Sequence, residues 1–429
     1  MILKMKKITF TSAFFVLICS LKLTAQSDST IVTLSQSIAA ALYNNPSIKQ
    51  ATNAVVAANF AVKIAESGYF PVISTDISGG FSDQYRLNNN FRTGNASLSA
   101  DQLLWQKGKI KASVVQAHYL QLAESYSLES RKEDIIESVK TTYLNCQMQN
   151  QLYLIAIVNV DRSRLFLEYA CERYKTGAGR KSDVLKAESD LSEAEFGSDS
   201  FRNLIAQSKN ELSLLTGLAP EMFSKLEDPL RYDRLTEYED QIDSLRSRAF
   251  RNYTDLKIVR NQELSQQAKI VESKAELYPR LGLNAGYNWS YYPSLTDQKG
   301  WYTGLTLRWQ MFRGNEQRNK IQLEMTKKVI YENRKDEVKD FLAKELNNRL
   351  INLREAESQI KLTDKMIKST SENLEIVKAQ YNAGTGSMLE LTDARINDLN
   401  AREKNIRAIT AYRIARVNLE RLTKNMNQF

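Results

Sequence analysis

Histidine is almost missing from this 429-residue chain: His118 is the only one, and there are three cysteines. Cys19 falls in the N-terminal leader, which leaves Cys146 and Cys171, 25 residues apart on what reads as one helix. At 1.5 Å per residue that is roughly 37 Å, too far for a disulfide. One histidine in a polar helical stretch and no cysteine cluster give metal or Ser/His chemistry nothing to work with. No catalytic residue, metal or cofactor is expected. Proline is scarce at six residues and glycine modest at sixteen, so little interrupts long helices. Beyond the leader no run reaches the roughly 18 apolar residues of a membrane-spanning helix.

What is present begins with "MILKMKKITFTSAFFVLICSLKLTAQ": lysines, an apolar run, then a small residue at Ala25. This predicts a secretory signal over residues 1–25, cut before Gln26. Ile18 before Cys19 fits a lipidation motif poorly. Losing the leader removes Lys4, Lys6, Lys7 and Lys22, and the net charge falls from +9 to +5. The basic balance is therefore partly a targeting feature and argues for no nucleic-acid partner.

The segment "YKTGAGRKSDVLKAE" resembles a phosphate loop at first sight. A phosphate loop needs glycine before the lysine and a buried strand before the loop. Here Arg180 precedes Lys181, and "RSRLFLEYACER" upstream has helical character. The segment instead recurs 207 residues later as "YNAGTGSMLELTDAR", with Tyr174, Gly177 and Gly179 matching Tyr381, Gly384 and Gly386, and Asp183 matching Glu390. "LLWQKGK" likewise recurs as "QMFRGNE". A glycine turn repeated between repeated helices is punctuation in a duplicated fold.

Each half reads as helix, strand pair, very long helix, glycine turn and returning helix. Residues 26–217 form the first repeat, with a strand pair at 71–105 and a hairpin tip near 174–182. After a linker at 218–241, residues 242–429 form the second, with a strand pair at 279–312 and a tip near 381–390. The long helices are expected from about Lys109 to Arg173 and Glu316 to Gln380. Three-four spacing places Ile136, Val139, Tyr143 and Cys146 on one face, and likewise Val184, Ala187, Leu191 and Ala194. Ala408, Ala411, Ala415, Leu419 and Leu422 continue the pattern in the last helix.

The strands exclude a plain coiled-coil rod. In "RLGLNAGYNWSY", Leu281, Leu283, Ala285, Tyr287 and Trp289 alternate with Gly282, Asn284, Gly286 and Asn288. "WYTGLTLRWQM" alternates in the same way from Trp301 to Met311. Ile73, Thr75, Ile77 and Phe81 oppose Ser74, Asp76 and Ser78, while Ala96, Leu98, Ala100 and Leu104 oppose Ser97, Ser99 and Asp101. Segments of about ten residues, apolar on one side and flanked by aromatics, mark a lipid-facing barrel. Four strands cannot close one, and open edges are not tolerated in lipid. Three copies would supply twelve.

Together the opening "LSQSIAAALYNNPSIK", the strand ends "LLWQKGK" and "QMFRGNE", and the paired tips resemble the TolC-type outer membrane efflux proteins over nearly all of the mature sequence. The resemblance implies an α+β membrane protein with a two-fold internal repeat. Long helical hairpins would form a periplasmic α-barrel, and four strands per chain would join a trimeric twelve-stranded outer-membrane β-barrel in lipid. The function implied is a passive exit duct that docks on a periplasmic adaptor linked to an inner-membrane pump of the RND or ABC type. It places the adaptor's grip at Gly177, Ala178, Gly384 and Thr385, and a periplasmic gate at Glu390, Asp393, Tyr381 and Asp183. Glu390 and Asp393, three apart, share a helix face; the plainer reading is a solvated pair at a helix start.

Two positions depart from the family pattern. Gly386 stands where an arginine would join the tyrosine and aspartate in a closing link, and Arg180 or Lys181 are the candidate substitutes. "RNYTDL" lacks the proline of "NNPSIK". Other readings are a periplasmic adaptor or coiled-coil scaffold, which would need a lipoyl-like half-motif and soluble β domains, and an enzyme, for which no convergent site exists.

Overall fold

A computed structural model describes residues 32–84, 89–224, 226, 242–291 and 298–423. The expected signal segment lies outside them. The described chain folds as α1 (Leu34–Asn44), α2 (Pro46–Glu66), β1 (Val72–Gln84), β2 (Asn89–Trp105), α3 (Lys109–Lys175) and α4 (Lys181–Thr216). There follow α5 (Ile242–Asn252), α6 (Thr254–Ala275), β3 (Arg280–Tyr291), β4 (Gln298–Arg308), α7 (Glu316–Asn382) and α8 (Met388–Thr423). The 207-residue offset holds at both ends of α3 and α7 and of α4 and α8. Each long helix has 67 residues, about 100 Å of α-helix. Cys146 and Cys171 are both free thiols on α3, and His118 is exposed.

The repeated strand-to-helix motif has a conformational reason. Lys107 and Gly108 take positive φ before α3, and Gly314 and Asn315 do so before α7. Two successive left-handed residues turn the chain sharply, and each repeat places one glycine there, where the missing Cβ removes the penalty. The helix break before α2 recurs before α6 without its proline. Asn45 (ψ 125°) and Tyr253 (ψ 118°) are both extended at that point. In the first repeat the Asn45 side chain accepts from Ser47 N at 2.9 Å. In the second, buried Tyr253 packs in the core and the Thr254 hydroxyl donates to the Glu133 carboxylate of α3 at 3.0 Å. Tertiary packing thus replaces the proline.

The second hairpin carries the largest apolar cluster. Leu342, Leu346, Leu350, Leu353, Ala356 and Ile360 of α7 meet Ala408, Tyr412, Ala415, Leu419 and Leu422 of α8. Their three-four spacing is that of helices packed along a long seam. Tyr412 is buried where the spacing had placed Ala411, which is exposed. The larger ring fills the seam and turns the alanine outward.

Buried charge binds one repeat to the other. Arg421, near the end of α8, reaches Glu133 at 3.6 Å, Glu137 at 3.3 Å and also Asp134, all on α3. Arg349 of α7 meets the same Glu137 at 3.1 Å, and Lys140 meets Glu420 at 3.5 Å. Burial pushes the Glu137 carboxyl upward, with Arg349 and Arg421 opposing the shift. Removing one partner would strand a buried charge, so this cluster fixes the lateral register of α3 against α8.

The four strands form one antiparallel sheet in the order β1-β2-β3-β4. The two expected hairpins are therefore joined through β2 and β3, and β1 and β4 are left as open edges. Register assembles the faces. Thr75, Leu98, Tyr287 and Trp301 lie in one row, and Ile73, Ala100, Ala285 and Thr303 in another. A shift between Leu103 and Trp105 sets Trp105, rather than Leu104, opposite Leu281. β4 ends at Arg308, so Trp309 and Met311 follow the strand instead of continuing its alternation. Among the described residues no helix is long and apolar enough to cross a membrane.

Candidate functional site

Two surfaces of the chain invite a functional reading: the apolar face of the sheet and the paired hairpin tips about 100 Å away along the helices.

On the sheet, Ile77 is 82% exposed, Phe81 83% and Leu305 68%. Such a continuous apolar face on a folded chain requires a nonaqueous or protein neighbour. The opposite face is polar and bonded within itself. Ser74 and Ser99 share a hydrogen bond at 2.8 Å. Asn284 donates to Asp101 and accepts from the Thr306 hydroxyl at 2.6 Å. Asp76 lies in the same face, in register with Ser97, Asn288 and Gly300. Trp105, Tyr278, Trp309 and Phe312 cluster in sequence at the helix end of the sheet, and Phe81, Trp289, Tyr291 and Trp301 near the other.

At the tips the two repeats make the same turn. Gly177 and Gly384 have φ of +75° and +79°. Ala178 N and Gly179 N both donate to Arg173 O at 2.9 Å, and Thr385 N and Gly386 N donate to Gln380 O at 3.0 and 3.1 Å. Gly177, Ala178, Gly384 and Thr385 are all exposed. A Cβ on Gly386 would come within 3.0 Å of Tyr381 N, which explains why this turn holds glycine.

The carboxylates divide by role. Asp183 accepts from Arg180 N at 3.4 Å, and its repeat counterpart Glu390 accepts from Ser387 N at 2.9 Å. Both cap helix starts. Those hydrogen bonds from Ser387 hold the Glu390 carboxyl below the usual carboxylate range. Asp393 is exposed further along α8. Lys186 of α4 is held above the usual ammonium value, first by its 2.7 Å hydrogen bond to Asp190 and in part by Asp393.

Tyr381 sits between the hairpins, buried with Ala170, Val184, Ala187, Met388 and Leu391. Its ring meets Tyr169 edge-on at 6.2 Å, and the Arg173 guanidinium lies 5.5 Å from its centroid. Burial raises the phenol, Arg173 lowers it and Asp183 adds a smaller rise. Tyr381 and Asp183 are thus brought together, and the nearby cation is Arg173. Neither Arg180 nor Lys181 takes that place: Lys181 lies over Tyr174 instead. Sequence reasoning missed Arg173 because it sits in a helix turn whose direction depends on how two hairpins pack. It also missed the buried contact of Asp190 with Thr392 at 3.2 Å, and Arg395 set over Phe166.

The sequence pattern of the family described as "Outer membrane efflux protein" matches residues 37–218 and 245–424. Nodulation protein T of Rhizobium leguminosarum bv. viciae is 24% identical over 282 residues, 65% of this chain and 56% of that protein. The match therefore spans little more than half of that relative's length. A membrane protein from Pseudomonas aeruginosa has the same fold, with a TM-score of 0.79 at 19% identity over 91% of this chain and 93% of that one. The CmeC outer membrane channel of Campylobacter jejuni gives 0.78 at 17% identity over 91% and 85%.

Proposed function

We propose a function from one premise: this chain belongs to the outer membrane efflux protein family. The chain is the exit duct of a tripartite efflux or type I secretion system. Three copies close a twelve-stranded barrel in the outer membrane, and α3, α4, α7 and α8 of each copy give a twelve-helix tunnel into the periplasm. Cargo passes through passively, delivered by a periplasmic adaptor and an inner-membrane pump. No catalytic step belongs to the reading.

The observation that carries it is the sheet. Its apolar face is exposed across all four strands, and its β1 and β4 edges are open. Lipid accepts such a sheet only when it is closed on itself, and rotational copies of the chain close it. An adaptor or scaffold would instead cover that face within its own fold. The mature chain should fractionate with the outer membrane, leave it only in detergent, and run as a conducting trimer in planar bilayers. A water-soluble monomer would overturn the reading.

At the periplasmic end, Gly177, Ala178, Gly384 and Thr385 serve as the adaptor's grip. Glu390 and Asp393 form a ring of six carboxylates, and Tyr381 with Arg173 and Asp183 holds the tips together. Replacing both Glu390 and Asp393 by Asn should weaken channel block by hexaamminecobalt(III) added at the periplasmic side. Arg173→Ala combined with Asp183→Ala should raise resting conductance by loosening Tyr381. Unchanged cation block would leave the two acids as helix-start charges alone.

A further inference from the structure

Arg280 and Arg308 are directly opposite each other where β3 begins and β4 ends. Like charges facing across a strand pair oppose sheet formation, so this pairing calls for a reason. Both side chains share the polar face with Asn284 and Thr306, four and two positions along their respective strands. Both are exposed. Among the described residues neither has an ion-pair partner.

The acids nearest in sequence are already engaged. Glu276 holds Lys109 at 2.8 Å, and Glu316 holds Lys320 at 2.7 Å. Asp101, on the neighbouring strand, accepts from Asn284. The repeat makes the pairing more pointed. The corresponding cross-strand pair in the first half is Val72 with Asp101, so duplication did not supply two arginines. Both arginines belong to the second repeat alone.

We propose that Arg280 and Arg308 form an anion-binding collar at the passage from the helical tunnel into the β-barrel. The collar takes solutes that carry adjacent carboxylate or phosphate groups. This inference rests on the duct reading, because three copies are what turn one pair into a ring of six guanidiniums facing a common lumen. Each guanidinium offers a planar fork of N–H donors suited to two oxygens of such a group. A narrow lumen with low-dielectric walls strengthens the field. The Asp101 carboxylates reduce the ring's charge without cancelling it, three against six. The lipid face is not involved, since the cations in register with its apolar residues, Lys299 opposite Trp289 and Arg92 opposite Phe81, lie toward the far end of the strands.

The test uses the full mature chain in planar bilayers with divalent-free potassium chloride. Sodium tripolyphosphate is added to each side in turn. Access from the extracellular side reaches the collar without passing the periplasmic tips, so the state of the gate does not decide the outcome. The wild type should be blocked, and Arg280→Gln with Arg308→Gln should raise the half-blocking concentration at least tenfold. Arg280→Lys with Arg308→Lys keeps the charge but loses the fork, and should restore the block only in part. Lys299→Gln should leave block unchanged. Equal half-blocking concentrations in the wild type and the double glutamine variant would overturn the collar while leaving the duct intact. A mature wild-type chain recovered as a water-soluble monomer would overturn the duct, and the collar with it.

Discussion

Valine at Gly177 and Gly384 together should abolish efflux while the trimer still reaches the outer membrane at its normal level. The two glycines hold φ of +75° and +79°, which a β-branched residue adopts only at a cost of about 1–3 kcal/mol. The penalty is purely one of backbone, because a Cβ at either position would meet nothing within 4 Å. It is also small beside the packing of two 67-residue helices, so assembly should survive. What changes is the tip. Opening the turn breaks the hydrogen bonds that Ala178 N and Gly179 N give Arg173 O, and those of Thr385 N and Gly386 N with Gln380 O. The exposed loop proposed as the adaptor's grip is then no longer the same shape. Gly197→Ala is the matched control: it lies within α4, with open space around it and no positive φ. Complementation of a strain lacking its own exit duct reads the outcome. Efflux retained with both tip glycines replaced would show that these turns are not the docking site.

The long helices and the strands were legible because their signals are local. Helical spacing and two-residue alternation each report one element's face, and the 207-residue echo reported that the faces come in pairs. What lay beyond the sequence was lateral. The pairing of β2 with β3 joins two hairpins that the sequence leaves separate. Arg173 beside Tyr381, and Arg421 among Glu133, Asp134 and Glu137, are contacts between repeats that no periodicity encodes. The absent proline in "RNYTDL" weakened a helix break that the structure keeps, because Glu133 and the core around Tyr253 hold it from outside the segment. Glycine at 386 read as a lost arginine. In the structure it is a steric requirement of the turn, and a cation reaches Tyr381 from the other repeat.

Lysine at Leu305 should largely prevent insertion, whereas lysine at the adjacent Thr306 should insert normally. The two residues are neighbours in β4 but point to opposite faces of the sheet. Leu305 pairs with Leu283 in the apolar rows, and Thr306 faces Asn284 in the polar network. Depth adds a second axis. The apolar rows run from Leu281 opposite Leu307 at the helix end to Trp289 opposite Lys299 at the other, so Leu283 and Leu305 lie nearer the middle. A lysine near the midplane costs about 2–4 kcal/mol, falling to about 0–1 near the interfaces. A symmetric trimer carries the substitution three times, which brings the midplane penalty to roughly 6–12 kcal/mol per barrel. Leu307→Lys, one row from the strand's end, should be milder than Leu305→Lys. Lys299 already shows that the far rim accepts a cation on this face. Outer-membrane yield of trimer should therefore rank Thr306→Lys first, Leu307→Lys second and Leu305→Lys last. Equal yields for Leu305→Lys and Thr306→Lys would mean that both faces see the same medium, and a lipid-facing barrel wall could not be built from this sheet.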